Sequence, residues 1–347
     1  NKEKHFKNLS RIKTNRQAAL RKVKNVLENY QIPYELTMKD SQNIKDIDEM
    51  SNISAKLRLK LKEDCTLLNV EEILYKESAI DKTRKYLFKL PDGNIIESVF
   101  MRYKHGNSVC ISSQVGCRMG CRFCASTLDG LLRNLSTSEM LDQIYKISLS
   151  TGERVSNIVL MGAGEPMDNF DNVLKFIEII NSEQGLNISQ RNITVSSCGL
   201  VPKIKELADK KLQITLALSL HAADDETRKS LMPIANKYSI KEVLDACRYY
   251  FDTTKRRVSF EYGLVAGVND TKEEALKLSR LIKNMQAHVN LIPINPIKER
   301  DYKEPTHKNV LAFKQILEKS GIQATVRREM GRDIDGACGQ LRRSFME

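Results

Sequence analysis

No stretch of this 347-residue chain approaches the roughly 18 consecutive apolar residues that a membrane-crossing helix needs, which excludes a span of that kind. The first residues, NKEKHFKNLS, lack the apolar run of a secretory signal, so a cytoplasmic protein with no membrane partner is expected. Prolines are few, at 8, and no internal repeat or low-complexity tract interrupts the chain. With 41% hydrophobic and 29% charged residues, this is the composition of a globular protein, one large domain with room for a small accessory one. Acidic residues are also in short supply: 44 Asp and Glu face 56 Lys and Arg, for a net charge of +12. That imbalance points to a polyanionic partner, and nucleic acid is the commonest in the cytoplasm. The excess is concentrated. Residues 1–24 hold Lys2, Lys4, Lys7, Arg11, Lys13, Arg16, Arg21, Lys22 and Lys24 against the single acid Glu3, while Arg327, Arg328, Arg332, Arg342 and Arg343 close the chain. Each phosphate such residues contact adds salt-dependent affinity without sequence specificity.

One further absence concerns the cysteines. Residues 117–124, CRMGCRFC, space three of them as C-x3-C-x2-C, with no fourth Cys or His close by. A structural zinc site closes with four ligands, and without an export signal a disulfide framework is not expected. Three clustered thiols suit a metal centre that keeps one coordination position open. Cys65 and Cys247 stand alone and read as buried structural thiols.

Near the N-terminus, Leu20, Val23, Leu27 and Tyr30 recur at helical spacing, and Ser54 opens a second helical pattern through Leu57 and Leu61. Residues 1–62 thus read as a small helical domain. Residues 63–102 read as a linker and a β-hairpin, RKYLFKLPDGNIIESVFM, turning at Asp92-Gly93. From about residue 109, short β-branched runs (VCISS, SNIVLMG, RNITVSS, LQITLALSL, RRVSFEYGLV, AHVNLIPI, IQATVRR) alternate with amphipathic helices such as NVLKFIEII, IKEVLDACRYYF, EEALKLSRLIKNM and NVLAFKQILEKS. That alternation predicts an α/β fold of right-handed βαβ crossovers and a parallel sheet, open or curled into a barrel. In such folds ligands collect at the C-terminal ends of strands. The chemistry-bearing residues fall there: the three cysteines after the first strand, GAGEP after the second, Ser196-Ser197-Cys198-Gly199 after the third, Ser219-Leu220-His221 after the fourth, Asn295 after the sixth, and Cys338 beyond the seventh.

CRMGCRFC resembles the C-x3-C-x2-C signature of radical S-adenosylmethionine (SAM) enzymes, and GEP resembles their SAM amino-group motif. More narrowly, CISSQVGCRMGCRFCAST, LMGAGEPMDN, LSLHA, LMPIANKY, NLIPINP and DIDGACGQL resemble, in order and spacing, the RlmN and Cfr family of RNA adenine methyltransferases. The match covers about residues 84–342; Ala163 stands where Met is expected and Gly336 where Ala is usual. The resemblance implies a partial (β/α)6 radical SAM barrel over residues 103–342. It implies that Cys117, Cys121 and Cys124 ligate a [4Fe-4S] cluster whose fourth iron chelates SAM. It further implies that Gly164, Glu165, Ser196, Ser219, Leu220, His221 and Asn295 line the SAM pocket. Two SAM molecules are then used per turnover. One methylates Cys338, and the other supplies the radical that activates this S-methyl group for addition to carbon 2 of adenine. Cys110 removes the proton from that carbon and resolves the protein–RNA adduct, leaving a transient disulfide with Cys338. Glu97 matches a family proton acceptor, with a purely structural carboxylate as its alternative. The implied partners are 23S rRNA, tRNA and an electron donor such as flavodoxin or ferredoxin, and the implied state is a monomer. Pro166 favours the RlmN branch over carbon-8 methylation by the Cfr branch; a non-catalytic iron–sulfur RNA-binding protein is the alternative of another class.

Overall fold

The structure, a computed structural model, describes residues 46–50, 54–64, 68–183, 186–296, 300–334 and 345. Cys65, Cys338, Gly336, Arg342, Arg343 and the basic N-terminal run with its Leu20 to Tyr30 pattern lie outside the described residues.

Helix α1 (Ala55–Asp64) starts where Ser54 forecasts it: the Ser54 hydroxyl accepts from Leu57 N–H at 3.2 Å, and Leu57 and Leu61 supply its buried side. Strands β1 (Glu71–Glu77), β2 (Arg84–Lys89) and β3 (Ile95–Tyr103) form an antiparallel meander, and β4 (Gly106–Cys110) pairs antiparallel with β3. The β2–β3 turn falls at Asp92-Gly93 as expected, with Gly93 at φ +85°, a conformation open to glycine at little cost. β1 is an addition to the expected hairpin.

The chain then runs through a two-stranded ribbon, β5 (Gln114–Gly116) with β6 (Leu131–Asn134), into α2 (Thr137–Thr151), β7 (Val155–Leu160), α3 (Phe170–Asn181), β8 (Ile193–Ser197), α4 (Val201–Asp209) and β9 (Thr215–Ser219). Helices α5 (Asp225–Leu231) and α6 (Ile240–Thr254), β10 (Val258–Leu264), α7 (Lys272–Ile282), β11 (Ala287–Pro293), α8 (His307–Lys319) and β12 (Gln323–Val326) follow. All seven expected parallel strands form. They lie in sequence order, β4-β7-β8-β9-β10-β11-β12, each hydrogen-bonded in parallel to the next.

A strand order that never reverses, with right-handed crossovers, carries every connecting helix to one face. The side-chain alternation agrees. Ile158, Ile193, Val195, Leu216, Leu218, Phe260, Tyr262, Val289 and Leu291 are buried in one apolar core with the helices. Their neighbours on the opposite face are different in kind: Ser196, Ser219, Ser259, Glu261, His288 and Asn290. Ten strands in one sheet, with helices on one side and a polar lining on the other, make the expected radical SAM α/β architecture. The polar lining runs to the strand ends where the predicted residues lie.

Candidate active site

The three cysteines occupy the loop that the β5–β6 ribbon closes. Cys117 N–H donates to Gly130 O at 2.8 Å, and the Thr127 hydroxyl donates to the carbonyls of Cys121 at 3.0 Å and Cys124 at 2.9 Å, so the loop is pinned at both ends. Cys117 and Cys121 are buried and Cys124 is half-buried. Cys121 and Cys124 pack with Met119, Phe123, Leu231, Met232, Val265 and Ile294 in an apolar shell separate from the main core. Burial pushes the Cys117 thiol up to about 12 and raises Cys121 further, and each thiol is raised again by its neighbours in the trio. Loading a metal centre must therefore displace protons from these thiols.

GAGEP docks against the end of β4. Gly162 N–H donates to Ile111 O at 3.0 Å, Ala163 N–H to the Ser112 hydroxyl at 3.1 Å, and Glu165 N–H to the Gln114 side chain at 2.8 Å. The approach leaves no room for side chains: a Cβ on Gly164 would meet Gln114 Cβ at 2.6 Å, on a backbone at φ +107°. Gly164→Ala is expected to cost about 2 kcal/mol or more from backbone strain and overlap together, read by urea unfolding of the metal-free protein. The Glu165 carboxylate accepts from Cys198 N–H at 2.8 Å and Met167 N–H at 3.1 Å, joining the β7 and β8 loops. Burial raises its pKa against the pull of those two bonds.

At the end of β9, Ser219 is half-buried, Leu220 fully buried, and His221 turns the chain at φ +55°. Gly263 N–H donates to His221 Nδ1 at 2.7 Å, which places the proton of the neutral ring on Nε2. The ring meets the edge of Phe123 at 4.7 Å between centroids, so this turn abuts the cysteine loop. Burial, followed by the charge of Arg228, lowers the His221 pKa from 6.5 to about 3. The unfolded chain takes up this proton as pH falls below about 6.5 while the folded one does not, so folding stability drops across that window. The expected slope reaches about 1.4 kcal/mol per pH unit until pH nears 3. His221→Asn, which tolerates the positive φ, should flatten that dependence in urea titrations of the metal-free protein. Asn295 is exposed in the loop after β11, and Ser196 is half-buried on the polar face of β8.

The far wall of the same face carries Cys110 and Glu97. Cys110 is paired with Val99 across β4–β3 and with Val159 across β4–β7, and it packs with Val99, Met101, Met161 and Met330. Glu97 precedes Val99 by one full strand period and therefore shares that face. It is buried opposite Lys85 Nζ at 3.3 Å. Met330, from the C-terminal segment, packs against the cluster of Val99, Met101 and Cys110. That segment is tied down further along, where the Asp333 carboxylate accepts from the Ser78 hydroxyl at 2.6 Å and Ala79 N–H at 2.9 Å.

Four buried groups at this site were not singled out from the sequence. Gln114 bridges Glu165 to Asn134; Asn269 donates to the carbonyls of His221 and Gly263, both at 2.7 Å; Glu261 accepts from Ser259 and Asn290; and Arg228 lies beneath the strand ends. A signal existed for Glu261, a single acid at period 2 with Ser259 inside VSFEYGL.

The donor set tests which group fits. Among the described residues no cluster of three or more His, Cys, Asp or Glu side chains is arranged to hold a single metal ion. Thiolates of an iron–sulfur cluster bind separate corners and need not converge on one point. Three shielded thiols without a fourth ligand fit such a cluster with one open iron. Thiols on a strand-end loop, beside a Gly-Glu-Pro turn on an ordered parallel sheet, define a radical SAM enzyme.

The Radical SAM superfamily model matches residues 111–279. A protein named "Probable dual-specificity RNA methyltransferase RlmN" from Lachnospira eligens is 67% identical over 300 residues, 86% of this chain and 86% of that protein. Its namesake from Clostridium perfringens strain 13 is 59% identical over 302 residues, 87% of each. The crystal structure of a radical SAM methyltransferase from Sphaerobacter thermophilus aligns with a TM-score of 0.87 at 39% identity, over 92% of this chain and 96% of that one. The chain belongs to the RlmN family of radical SAM RNA methyltransferases.

Proposed function

We propose that the protein methylates carbon 2 of a specific adenosine in 23S rRNA and of the adenosine beside the anticodon in tRNA. The observation that carries this reading is the position of Cys110: buried on the polar face with Glu97, in a cluster against which Met330 of the C-terminal segment packs. Carbon 2 of adenine is electrophilic, so it has no electron pair with which to take a methyl group from SAM directly. Cys338 supplies the missing nucleophile. Its thiolate displaces the methyl of one SAM, forming an S–CH3 bond and releasing S-adenosylhomocysteine.

Cys117, Cys121 and Cys124 would hold the [4Fe-4S] cluster, which when bound would supply one-electron cleavage of a second SAM to a 5′-deoxyadenosyl radical. Gly164, Glu165, Ser196, Ser219, Leu220, His221 and Asn295 surround that SAM. The S-methyl group of Cys338 would give one hydrogen atom to the 5′-deoxyadenosyl radical, its carbon would bond to adenine carbon 2, and the unpaired electron left on the ring would pass back to the oxidised one-electron centre held by Cys117, Cys121 and Cys124. Cys110 removes the proton from that carbon. The Cys110 sulfur then bonds to the Cys338 sulfur as the bond from that sulfur to the methylene carbon breaks, and the freed carbon is protonated to a methyl group. Glu97 is the candidate proton acceptor. The target base leaves its stack to reach this wall. Residues 1–62 and exposed Arg327 and Arg328 engage RNA phosphates, an electron donor of the flavodoxin or ferredoxin class reduces the centre, and the protein works as a cytoplasmic monomer.

Anaerobically reconstituted protein with a reductant is expected to convert SAM to 5′-deoxyadenosine. RNA binding without that product would support a non-catalytic iron–sulfur protein instead.

A further inference from the structure

Arg228 is the largest fully buried side chain, at 0% exposure, and it has no carboxylate within ion-pair distance among the described residues. Its Nε donates to Leu220 O at 3.2 Å, and its Nη2 to Cys198 O at 2.7 Å and Ser219 O at 3.4 Å, so it ties the ends of β8 and β9 together. Among the described residues Nη1 has no hydrogen-bond partner. A neutral donor could serve the three carbonyls. They do not account for the open Nη1, or for a full positive charge held away from water, which is strongly unfavourable without an anion.

The surroundings say where an anion would come. Arg228 Nη2 lies 2.7 Å from the Cys198 carbonyl, and Cys198 shares the apolar shell of Cys121; burial lowers the Arg228 pKa. Its own helix, α5, is the seat of the cysteine loop. Arg122 N–H donates to Leu231 O at 2.9 Å, Gly120 lies against Pro233, and Leu231 and Met232 belong to the apolar shell around Cys121. Three thiolates around an iron–sulfur cluster leave the assembly with net negative charge, and one added electron makes it more negative.

We infer that Arg228 is the buried counter-charge of the cysteine-bound cluster, a positioning residue whose guanidinium stabilises the reduced state and so raises its reduction potential. In that step the cluster gains one electron from a low-potential one-electron donor, and no proton moves on Arg228. The inference rests on the cluster reading, which the wild-type protein tests separately: failure to load iron and sulfide defeats that reading, whereas a loaded wild type leaves Arg228 to be judged by its variants.

The experiment is a dithionite-based redox titration of anaerobically reconstituted wild type, R228K and R228Q, without SAM, followed by electron paramagnetic resonance of the reduced cluster. R228Q keeps donors for the carbonyls and loses the charge; R228K keeps the charge. The expected result is a reduction equilibrium at least tenfold less favourable in R228Q, about 59 mV for one electron, with R228K near wild type. A cluster retained by R228K and lost from R228Q also supports the counter-charge. Unchanged potential in R228Q, an equal fall in both variants, or loss of the cluster from both would overturn it in favour of loop packing alone.

Discussion

Cys338→Ala is expected to lower RNA methylation by roughly 10³-fold or more, the scale seen when a covalent nucleophile is removed. The reason is electronic. Carbon 2 lies between two ring nitrogens that withdraw electron density, so a methyl cation equivalent finds no partner there. A carbon radical does add to such a position, and the S-methyl group of a cysteine is a source of one. Without the Cys338 sulfur the methyl has no carrier. The variant should still cleave SAM reductively, because in the proposed mechanism that step uses the strand-end cysteines and the Gly-Glu-Pro turn. The separation of the two readouts distinguishes loss of a carrier from loss of folding. In the wild-type protein, peptide mapping should find one added methyl on Cys338. Methylation that survives Cys338→Ala would remove the carrier from the mechanism.

The second large effect is expected from Cys117→Ala, Cys121→Ala and Cys124→Ala. Each should lose cluster iron, and SAM cleavage should fall to the uncatalysed level. Cys198 is the comparison. It lies in the same apolar shell as Cys121, but it sits in the loop after β8, outside the C-x3-C-x2-C loop, with its backbone N–H held by the Glu165 carboxylate. Cys198→Ala should therefore retain the cluster. Iron and sulfide analysis with visible absorption reads all four variants, and full cluster content in any of the first three would contradict the ligand assignment.

Much of this was legible before any coordinates. The seven parallel strands announce themselves because each buries one face against helices, which selects β-branched and aliphatic residues at alternate positions. The strand-end rule then gathers GAGEP, Ser196, Ser219 to His221 and the cysteine loop to one edge. What escaped was weakly patterned or contrary to habit. β1, EEILYKE, is an edge strand with no fully buried position, so its alternation carries little apolar signal. β5 and β6 span only three and four residues, and their pairing depends on the loop they clasp. α5, DETRKSL, is polar nearly throughout. Arg228 within it reads as a solvated helix residue, because arginines almost always are. Its burial follows from the carbonyls of three strand-end residues, a tertiary fact with no local trace. Glu97 was legible as a position but not in its setting, since the Lys85 that faces it lies on the neighbouring strand.

The absence of a fourth ligand near CRMGCRFC is what set the functional reading in motion, and the Cys110 wall is what directs it to a base. Both meet in one product. Nucleoside mass spectrometry of 23S rRNA and tRNA, after anaerobic reaction with the reconstituted protein, SAM and a reductant, tests the account most directly. It predicts 2-methyladenosine in both RNAs. 8-Methyladenosine with no 2-methyladenosine would contradict it.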